Sequence, residues 1–285
     1  MYKCLNPRTI GITLAWEGCL PLARGNGFGG IDLPIDPQVS ASHYREALER
    51  YRLKPGGMSL PFHMTEDDPK VDMAMANLPA ICERARDVGQ TRFYTWILPF
   101  SEALPWKDNF SFHAVRLGKA ARILEEYGCR LGLEFIGPRT VREGHKYSFV
   151  HTLEQMLDLC EAVGPNAGLL LDAYHWYTSL GIVEELLILD DRQVVYVHVN
   201  DAPAGIPIEQ QQDLVRCLPG DSGVIDLPGF LQALHTIGYK GPVVPEPFVK
   251  ELHELTPAEA AGRAGEAMQR VWMYLPRSAN QTSGY

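Results

Sequence analysis

Short, almost continuously apolar runs alternate with longer amphipathic stretches along the whole chain. Apolar runs without polar alternation are typical of parallel strands covered on both faces, and amphipathic stretches are typical of the helices that cover them. We predict strands at residues 9–15, 30–35, 57–62, 92–98, 130–135, 168–172, 194–199 and 242–246. We predict helices at residues 19–26, 39–51, 71–89, 108–127, 151–163, 178–189, 227–237 and 257–274.

Eight strands that alternate with eight helices predict a closed parallel barrel. We therefore expect an α/β protein with the fold of a (β/α)8 TIM barrel. A single domain is expected over residues 1–276, followed by a flexible C-terminal tail at 277–285. The segments after strands are longer than those after helices, notably 137–150 and 201–225. Because such loops lie at the carboxyl end of the barrel strands, we expect the functional site there.

The composition is that of an ordinary globular protein, with 46% hydrophobic and 21% charged residues. A net charge of −9 disfavours nucleic acids and anionic membranes as partners, because both repel an acidic surface. No apolar run approaches the roughly 18 residues of a membrane-spanning helix, and the first residues lack the pattern of a signal peptide. The six cysteines show no CxxC spacing and are expected to be reduced, so we expect a cytoplasmic protein.

Three carboxylates and one imidazole end four successive apolar runs: Glu134, Asp172, His198 and Glu246. Any one of the acids could cap a helix or form an ion pair, and the histidine alone could be a hydrogen-bonded core residue. Four such residues on neighbouring strands instead indicate a shared site for a divalent metal. Three hard oxygen ligands and one nitrogen suit Mn²⁺, Mg²⁺ or Co²⁺, and they also permit Zn²⁺.

Five segments of the chain resemble those of the xylose isomerase-like barrels. This family includes ketose 3-epimerases, inosose dehydratases, hydroxypyruvate isomerases and endonuclease IV. The segments are GLEFIGP (132–138), LLLDAYHW (169–176), VYVHVND (195–201), RCLPGDSGVID (216–226) and PVVPEPF (242–248). They match the family's four ligand segments and its Arg-x-x-Pro-Gly loop, and the resemblance extends over nearly the whole chain.

The resemblance implies that the four strand-end residues bind one divalent ion, with Mn²⁺ favoured. It also implies a sugar isomerase or epimerase, in which the metal binds adjacent carbonyl and hydroxyl oxygens and stabilises an enediolate. Glu134 and Glu246 are expected to be the catalytic carboxylates, one removing a proton and the other returning it. His175 and Arg216 are expected to bind substrate oxygens.

Imidazole and aromatic side chains near the predicted strand ends are candidate walls of the substrate pocket. His63 follows the third predicted strand and Trp16 the first, and both are expected to line the pocket. Trp96, Trp176 and Phe248 could stack on a sugar ring, although aromatics near strand ends are as often packed in the core.

The loop at 137–150 departs from the family pattern. Epimerases of the family often carry a further glutamate at the spacing where this chain has Thr140. A lyase of the inosose dehydratase type, in which the same enolate expels a β-hydroxyl, therefore stays an alternative. A non-catalytic sugar-binding protein is a second alternative. A DNA-repair enzyme of the endonuclease IV type is a third, which the net charge opposes.

The expected partner is a small neutral molecule: a sugar, a keto-sugar or another keto-polyol such as an inositol derivative. The glycine-rich segment at 25–30 precedes a predicted strand rather than joining a strand to a helix, so it is a poor phosphate-binding loop. Neither a nucleic acid nor a membrane is expected as a partner. A homo-oligomer is compatible with the sequence.

Overall fold

A parallel sheet curled into a barrel forms the centre of the protein. The computed structural model describes residues 1–276, and the expected tail at 277–285 lies outside the described residues. The strands are β1 (Tyr2–Leu5), β2 (Gly30–Ile31), β3 (Lys54–Pro55), β4 (Met58–Ser59), β5 (Arg92–Ile97), β6 (Phe100–Ser101), β7 (Arg130–Phe135), β8 (Tyr147–Ser148), β9 (Ala167–Asp172), β10 (Val194–Val199) and β11 (Pro242–Pro245). Nine of them form the main sheet, in the order β3–β2–β1–β11–β10–β9–β7–β5–β4.

The two ends of this sheet are β3 and β4, which are separated in sequence only by Gly56 and Gly57. They are therefore two halves of one barrel strand, and the chain fills the eight positions of a (β/α)8 barrel. A side chain at Gly57 would lie 2.6 Å from the ring of Tyr196, so the interior leaves room only for glycine at this break. The predicted single-domain TIM barrel is confirmed.

The helices cover the outside of the sheet and extend its carboxyl end. The α-helices are α1 (Trp16–Gly25), α2 (Ala41–Tyr51), α3 (Asp68–Val88), α4 (Trp106–Glu126), α5 (Arg139–Arg142), α6 (Leu153–Val163), α7 (Ala173–Thr178), α8 (Val183–Leu187), α9 (Leu227–Thr236) and α10 (Pro257–Trp272). Short 3-10 helices lie at Arg8–Ile10, Asp191–Gln193, Ile208–Gln210 and Lys250–Glu254. Within residues 1–276, no helix combines the length and the apolar character that crossing a membrane requires.

Several predicted boundaries hold because local chemistry sets them. Thr256 and Glu259 form the reciprocal capping box at the start of α10, and Gly89 ends α3 in a left-handed conformation with a φ of 88°. The predicted helix at 178–189 is wrong in its bounds, because only α8 (Val183–Leu187) lies within it and α7 ends at its first residue, Thr178. Leu180 adopts a φ of 66° between them, and this left-handed residue interrupts the helix.

The prediction for the first strand was wrong. Residues 9–15 contain the end of a 3-10 helix and Gly11 in a left-handed conformation with a φ of 79°, whereas β1 lies at Tyr2–Leu5. This strand pairs with β11 on one side and β2 on the other. As a consequence, Trp16 begins α1 instead of ending a strand.

The loop at 137–150 folds over the carboxyl end of the barrel with structure of its own. It contains α5 and then β8, which pairs with β6 in a small antiparallel sheet. The ring of His145 stacks on Phe100 with centroids 3.4 Å apart, and its Nδ1 lies 2.5 Å from a carboxylate oxygen of Glu102. The loop after the fifth barrel strand is thereby attached to the loop after the fourth.

Candidate metal centre and active site

The structure brings the four strand-end residues together at the carboxyl end of the barrel. One ligand atom from each of Glu134, Asp172, His198 and Glu246 lies within 4.8 Å of the others. Nδ1 of His198 is 3.2 Å from Oε1 of Glu134, 3.2 Å from Oε2 of Glu246 and 3.8 Å from Oδ2 of Asp172. Neighbouring parallel strands place their last residues side by side, as the pairing of His198 with Asp172 shows.

The local backbone fixes each of these side chains. Asp172 ends β9 and also caps α7, accepting hydrogen bonds from the backbone N–H groups of Tyr174 and His175. Glu246 follows β11 directly, and its backbone N–H donates to the carbonyl of Val199 at 3.0 Å. The ligands are therefore held by the sheet and by a helix start rather than by free loops.

Burial makes the charge of this cluster costly. Asp172 is 1% exposed and Glu134 is 6% exposed. Burial is the main cause that raises the pKa of Glu134 to about 8, against the opposing effect of His198. Burial alone would lower the pKa of His198, but the charges of Glu246 and Glu134 raise it well above its usual value. In the metal-free protein, a proton is thus retained between the carboxylates and the imidazole.

The donor set fits a divalent cation. Three carboxylates and an imidazole nitrogen converge on one point, where their negative charge is largely removed from water. A buried charge of this kind requires a compensating cation, and hard oxygen ligands with one nitrogen are what Mn²⁺, Mg²⁺ and Zn²⁺ accept. Glu134, Asp172, His198 and Glu246 are the residues that would hold such an ion.

Arg216 is the cation that the protein itself supplies to the cluster. It is 5% exposed, and its Nη1 donates to Oδ2 of Asp172 at 2.9 Å and to Oε2 of Glu246 at 3.2 Å. Its guanidinium lies between the rings of Tyr174 and Phe248, 4.7 and 4.6 Å from their centroids. Burial alone would raise the pKa of Asp172, but the Arg216 charge lowers it. Arg216 is therefore part of the centre.

His175 reaches the centre through protein contacts. It is 1% exposed, and burial is the main cause that lowers its pKa, so it is neutral near pH 7. The backbone N–H of Gly137 donates to its Nδ1 at 3.3 Å, and Nη2 of Arg216 lies 3.1 Å from its Nε2. The structure thus places His175 behind Arg216. Its expected contact with a substrate oxygen stays a prediction.

The other residues expected to line the substrate pocket lie in different parts of the barrel. His63 packs on Trp96 with ring centroids 5.2 Å apart, and Trp96 lies beside Glu134 on the neighbouring strand. Trp96 also borders a cavity of about 270 Å³. Trp16 packs on the aromatic rings of α2, and Trp176 packs on Phe230 of α9. The substrate contacts expected of all these residues stay predictions.

Sequence reasoning missed two residues directly after β10. Asn200 donates through Nδ2 to both carboxylate oxygens of Asp172, at 3.3 and 3.0 Å. Asp201 is fully buried and accepts hydrogen bonds from four backbone N–H groups, those of Ala202, Ser222, Gly223 and Ile225. Asp201 thereby shapes the loop that carries Arg216. In the sequence, the Asn-Asp pair that ends the VYVHVND segment is the signal that could have identified both residues.

A further buried carboxylate, that of Asp32, lies inside the barrel near the metal cluster. It accepts hydrogen bonds from the hydroxyls of Tyr196 at 2.5 Å and Tyr94 at 3.3 Å, and from the backbone N–H of Gly57 at 2.7 Å. Tyr196 is two residues before His198 on β10, and the two rings meet edge to face with centroids 5.4 Å apart. The Asp32 network therefore supports the imidazole of the metal cluster from inside the barrel.

Asp32 is expected to make folding stability depend on pH. Burial is the main cause that raises its pKa from 3.8 to about 6. A raised pKa in the folded state means that this stability is present below the unfolded value and is lost as the pH rises through 6. We expect the free energy of unfolding of the wild type, relative to Asp32→Asn, to fall by about 3 kcal/mol between about pH 4 and pH 7. Urea unfolding of both proteins at several pH values measures this difference in the free energy of unfolding.

An exposed carboxylate of α3 provides the control for this measurement. Asp72→Asn should show no comparable pH-dependent difference from the wild type. A difference between wild type and Asp32→Asn that stays constant with pH would show that Asp32 does not titrate in this range.

Comparison with known proteins identifies the family. The model of the xylose isomerase-like TIM barrel matches residues 20–273, and the chain belongs to this family. The inosose isomerase of Bacillus velezensis is 28% identical over 281 residues, which cover 95% of this chain and 97% of that protein. The curated relatives carry the names of enzymes, and the expectation of an enzyme is confirmed.

Solved structures agree with this assignment over almost the full length. A xylose isomerase domain protein from Alicyclobacillus acidocaldarius superposes with a TM-score of 0.83 and 29% identity, covering 95% of this chain and 98% of the other. The IolI protein with a bound zinc atom superposes with a TM-score of 0.79 and 25% identity, covering 96% of this chain and 99% of the other. A metal ion is therefore present in one structure with the same fold.

Proposed function

We propose that this protein is a divalent-metal-dependent isomerase or epimerase of a neutral keto-polyol, with an inosose as the first candidate substrate. The observation that carries the proposal is the cluster of Glu134, Asp172, His198 and Glu246 at the barrel mouth, where two glutamates contact the same imidazole nitrogen. The similarity to an inosose isomerase along 95% of the chain supports the substrate class.

The reaction would move a proton at a carbon next to a carbonyl group. When bound, a divalent cation supplies Lewis-acid polarisation that makes such a C–H bond more acidic. Glu134 removes the proton with one carboxylate oxygen, and Glu246 returns a proton to the opposite face or to the next carbon. The proline residues on both sides of Glu246 restrict its backbone and keep this carboxylate in place. Mn²⁺ is the proposed ion, and Zn²⁺ is the alternative that the IolI structure supports.

The basic residues of the 137–150 loop support a neutral substrate. Arg139 pairs with Glu143 at 2.6 Å, and Arg142 donates to the carbonyl of Gly137 at 2.5 Å. His145 is occupied by Glu102. Lys146 lies over the ring of Tyr147. Since Arg139, Arg142 and His145 already have polar protein partners, an anionic substrate would have to break existing contacts to use any of these three as a counter-charge. A substrate without phosphate or carboxylate avoids this cost.

Turnover of an inosose in D₂O tests the proposal. The purified protein, loaded with Mn²⁺ or Zn²⁺, is expected to convert the inosose to an isomer of equal composition that carries deuterium at the carbon beside the carbonyl. Mass spectrometry and proton NMR measure the product.

Each other outcome identifies a competing function. Loss of water from the substrate would indicate the lyase of the inosose dehydratase type. Binding without any turnover, in every metal-loaded form, would indicate a sugar-binding protein and would overturn the proposal. A ketohexose and a phosphorylated ketose in parallel assays test whether the preference for an uncharged ring holds.

A further inference from the structure

The second edge of the Arg216 guanidinium is held by one acid, Asp213. Nη2 of Arg216 donates to Oδ1 of Asp213 at 2.7 Å, and Nε donates to the backbone carbonyl of the same residue at 2.8 Å. Together with the bonds to Asp172 and Glu246, these contacts use four of the five N–H groups of the arginine, and Nη2 also lies 3.1 Å from Nε2 of His175. Arg216 therefore has a fixed position, with one edge on the metal cluster and the other on Asp213.

This position creates a conflict with metal binding. Nη1 of Arg216 donates to Oδ2 of Asp172 and Oε2 of Glu246, which are the oxygens that also lie nearest to Nδ1 of His198. A divalent ion at the centre needs these same oxygens and is repelled by the positive guanidinium. Two cations a few ångströms apart in a buried site repel each other strongly, because there is little water to screen them.

The position and the charge of Asp213 reduce this repulsion between Arg216 and a metal ion. Its side chain is 23% exposed, and its carboxylate contacts the Nη2 edge of Arg216, whereas the ligand carboxylates contact Nη1. A carboxylate there offsets the positive charge of the guanidinium and holds its second edge in place. Nε2 of His175 lies 3.6 Å from the same carboxylate oxygen.

We propose that Asp213 is a positioning residue of the metal centre, which holds Arg216 and offsets its charge, so that the arginine opposes a metal ion at Asp172 and Glu246 less. This inference rests on the metal site of the proposed function. It also adds to the role expected of Arg216, since the arginine orders two ligands of the centre.

Metal affinity of the intact, metal-free protein tests this role without any substrate. Asp213→Asn keeps the shape of the side chain and removes its charge. We expect the Kd for Mn²⁺, measured by isothermal titration calorimetry, to rise about tenfold, the size of a lost charge-assisted interaction. Asp213→Glu keeps the charge and should recover most of the affinity. An unchanged or lower Kd in Asp213→Asn would overturn the proposal.

Asp221→Asn is the matched control, because Asp221 pairs with Arg270 at the surface of the same loop. It should leave the Kd for Mn²⁺ unchanged. The double variant decides whether Asp213 acts through the arginine. In an Arg216→Met background, Asp213→Asn should alter the Kd by less than about twofold. A full tenfold increase of the Kd in the Arg216→Met background would show that the Asp213 charge acts directly on the metal, and the positioning role would be rejected.

Further measurements separate this inference from folding defects and from the proposed function. Circular dichroism checks each variant, and Asp213→Ser repeats the test if the asparagine variant misfolds. A wild type that binds Mn²⁺ with an affinity equal to that of Asp213→Asn removes only this inference. A wild type that binds neither Mn²⁺ nor Zn²⁺ removes the metal centre of the proposed function and this inference with it.

Discussion

Replacing Glu134 with glutamine is expected to lower kcat by about 10²- to 10⁴-fold, the usual contribution of a general base. The substitution keeps the size of the side chain but removes the carboxylate that accepts the substrate proton. Because Glu134 lies 3.2 Å from Nδ1 of His198, the loss of charge is also expected to weaken metal binding. Steady-state kinetics at saturating Mn²⁺, with metal content measured on the same samples, separates these two effects.

Proton exchange gives the sharper form of this prediction. If Glu134 removes the proton and Glu246 returns it on the other side, Glu246→Gln should still exchange the substrate proton with D₂O without completing the conversion. Glu134→Gln should lose both exchange and conversion. Glu143→Gln, in the exposed pair with Arg139, is the control and should behave as wild type. Unaltered turnover in Glu134→Gln would remove its assignment as the base.

The sequence was sufficient for the barrel because the fold depends on patterns that local stretches carry. Buried parallel strands such as β7 and β10 are almost wholly apolar, so their position could be predicted closely. The first strand was missed for a physical reason. Tyr2–Leu5 is short and contains a lysine, and it becomes a strand through its pairing with β11 and β2. Long-range pairing of that kind leaves little trace in a short segment.

The same distinction between local pattern and long-range structure applies to the residues of the candidate site. Glu134, Asp172 and His198 belong to strands, so the strand direction alone brings them to one end of the barrel. Asp213 and Trp176 lie in segments whose direction depends on how a loop or a short helix turns. Trp176 enters α7 and faces α9, a direction that no local pattern could predict. Residues that strands place were therefore predictable from the apolar pattern alone. The loop residue Arg216 was found only through the resemblance to the family, and Asp213 was missed.

Removing the metal is expected to abolish turnover and to lower stability together. Treatment with EDTA followed by dialysis should reduce activity to background, and added Mn²⁺ should restore it. An ion that binds only the folded protein stabilises it by about 2.7 kcal/mol at a concentration one hundred times its Kd. Differential scanning calorimetry with Mn²⁺ and with EDTA measures this difference. Asp172→Asn, which lacks one ligand, should show little metal-dependent change in Tm.

The stabilisation by metal should grow as the pH rises. In the metal-free protein the pKa of Glu134 is raised to about 8, and that of His198 is raised as well. Both raised values mean that the metal-free fold loses stability as the pH increases from the unfolded pKa of each group to its folded pKa. The metal binds the ionised carboxylate and the neutral imidazole, so it competes with the retained proton. The increase in Tm on adding Mn²⁺ should therefore be larger at about pH 8 than at about pH 6. A larger increase in Tm at the lower pH would contradict the raised pKa values of Glu134 and His198 in the metal-free protein.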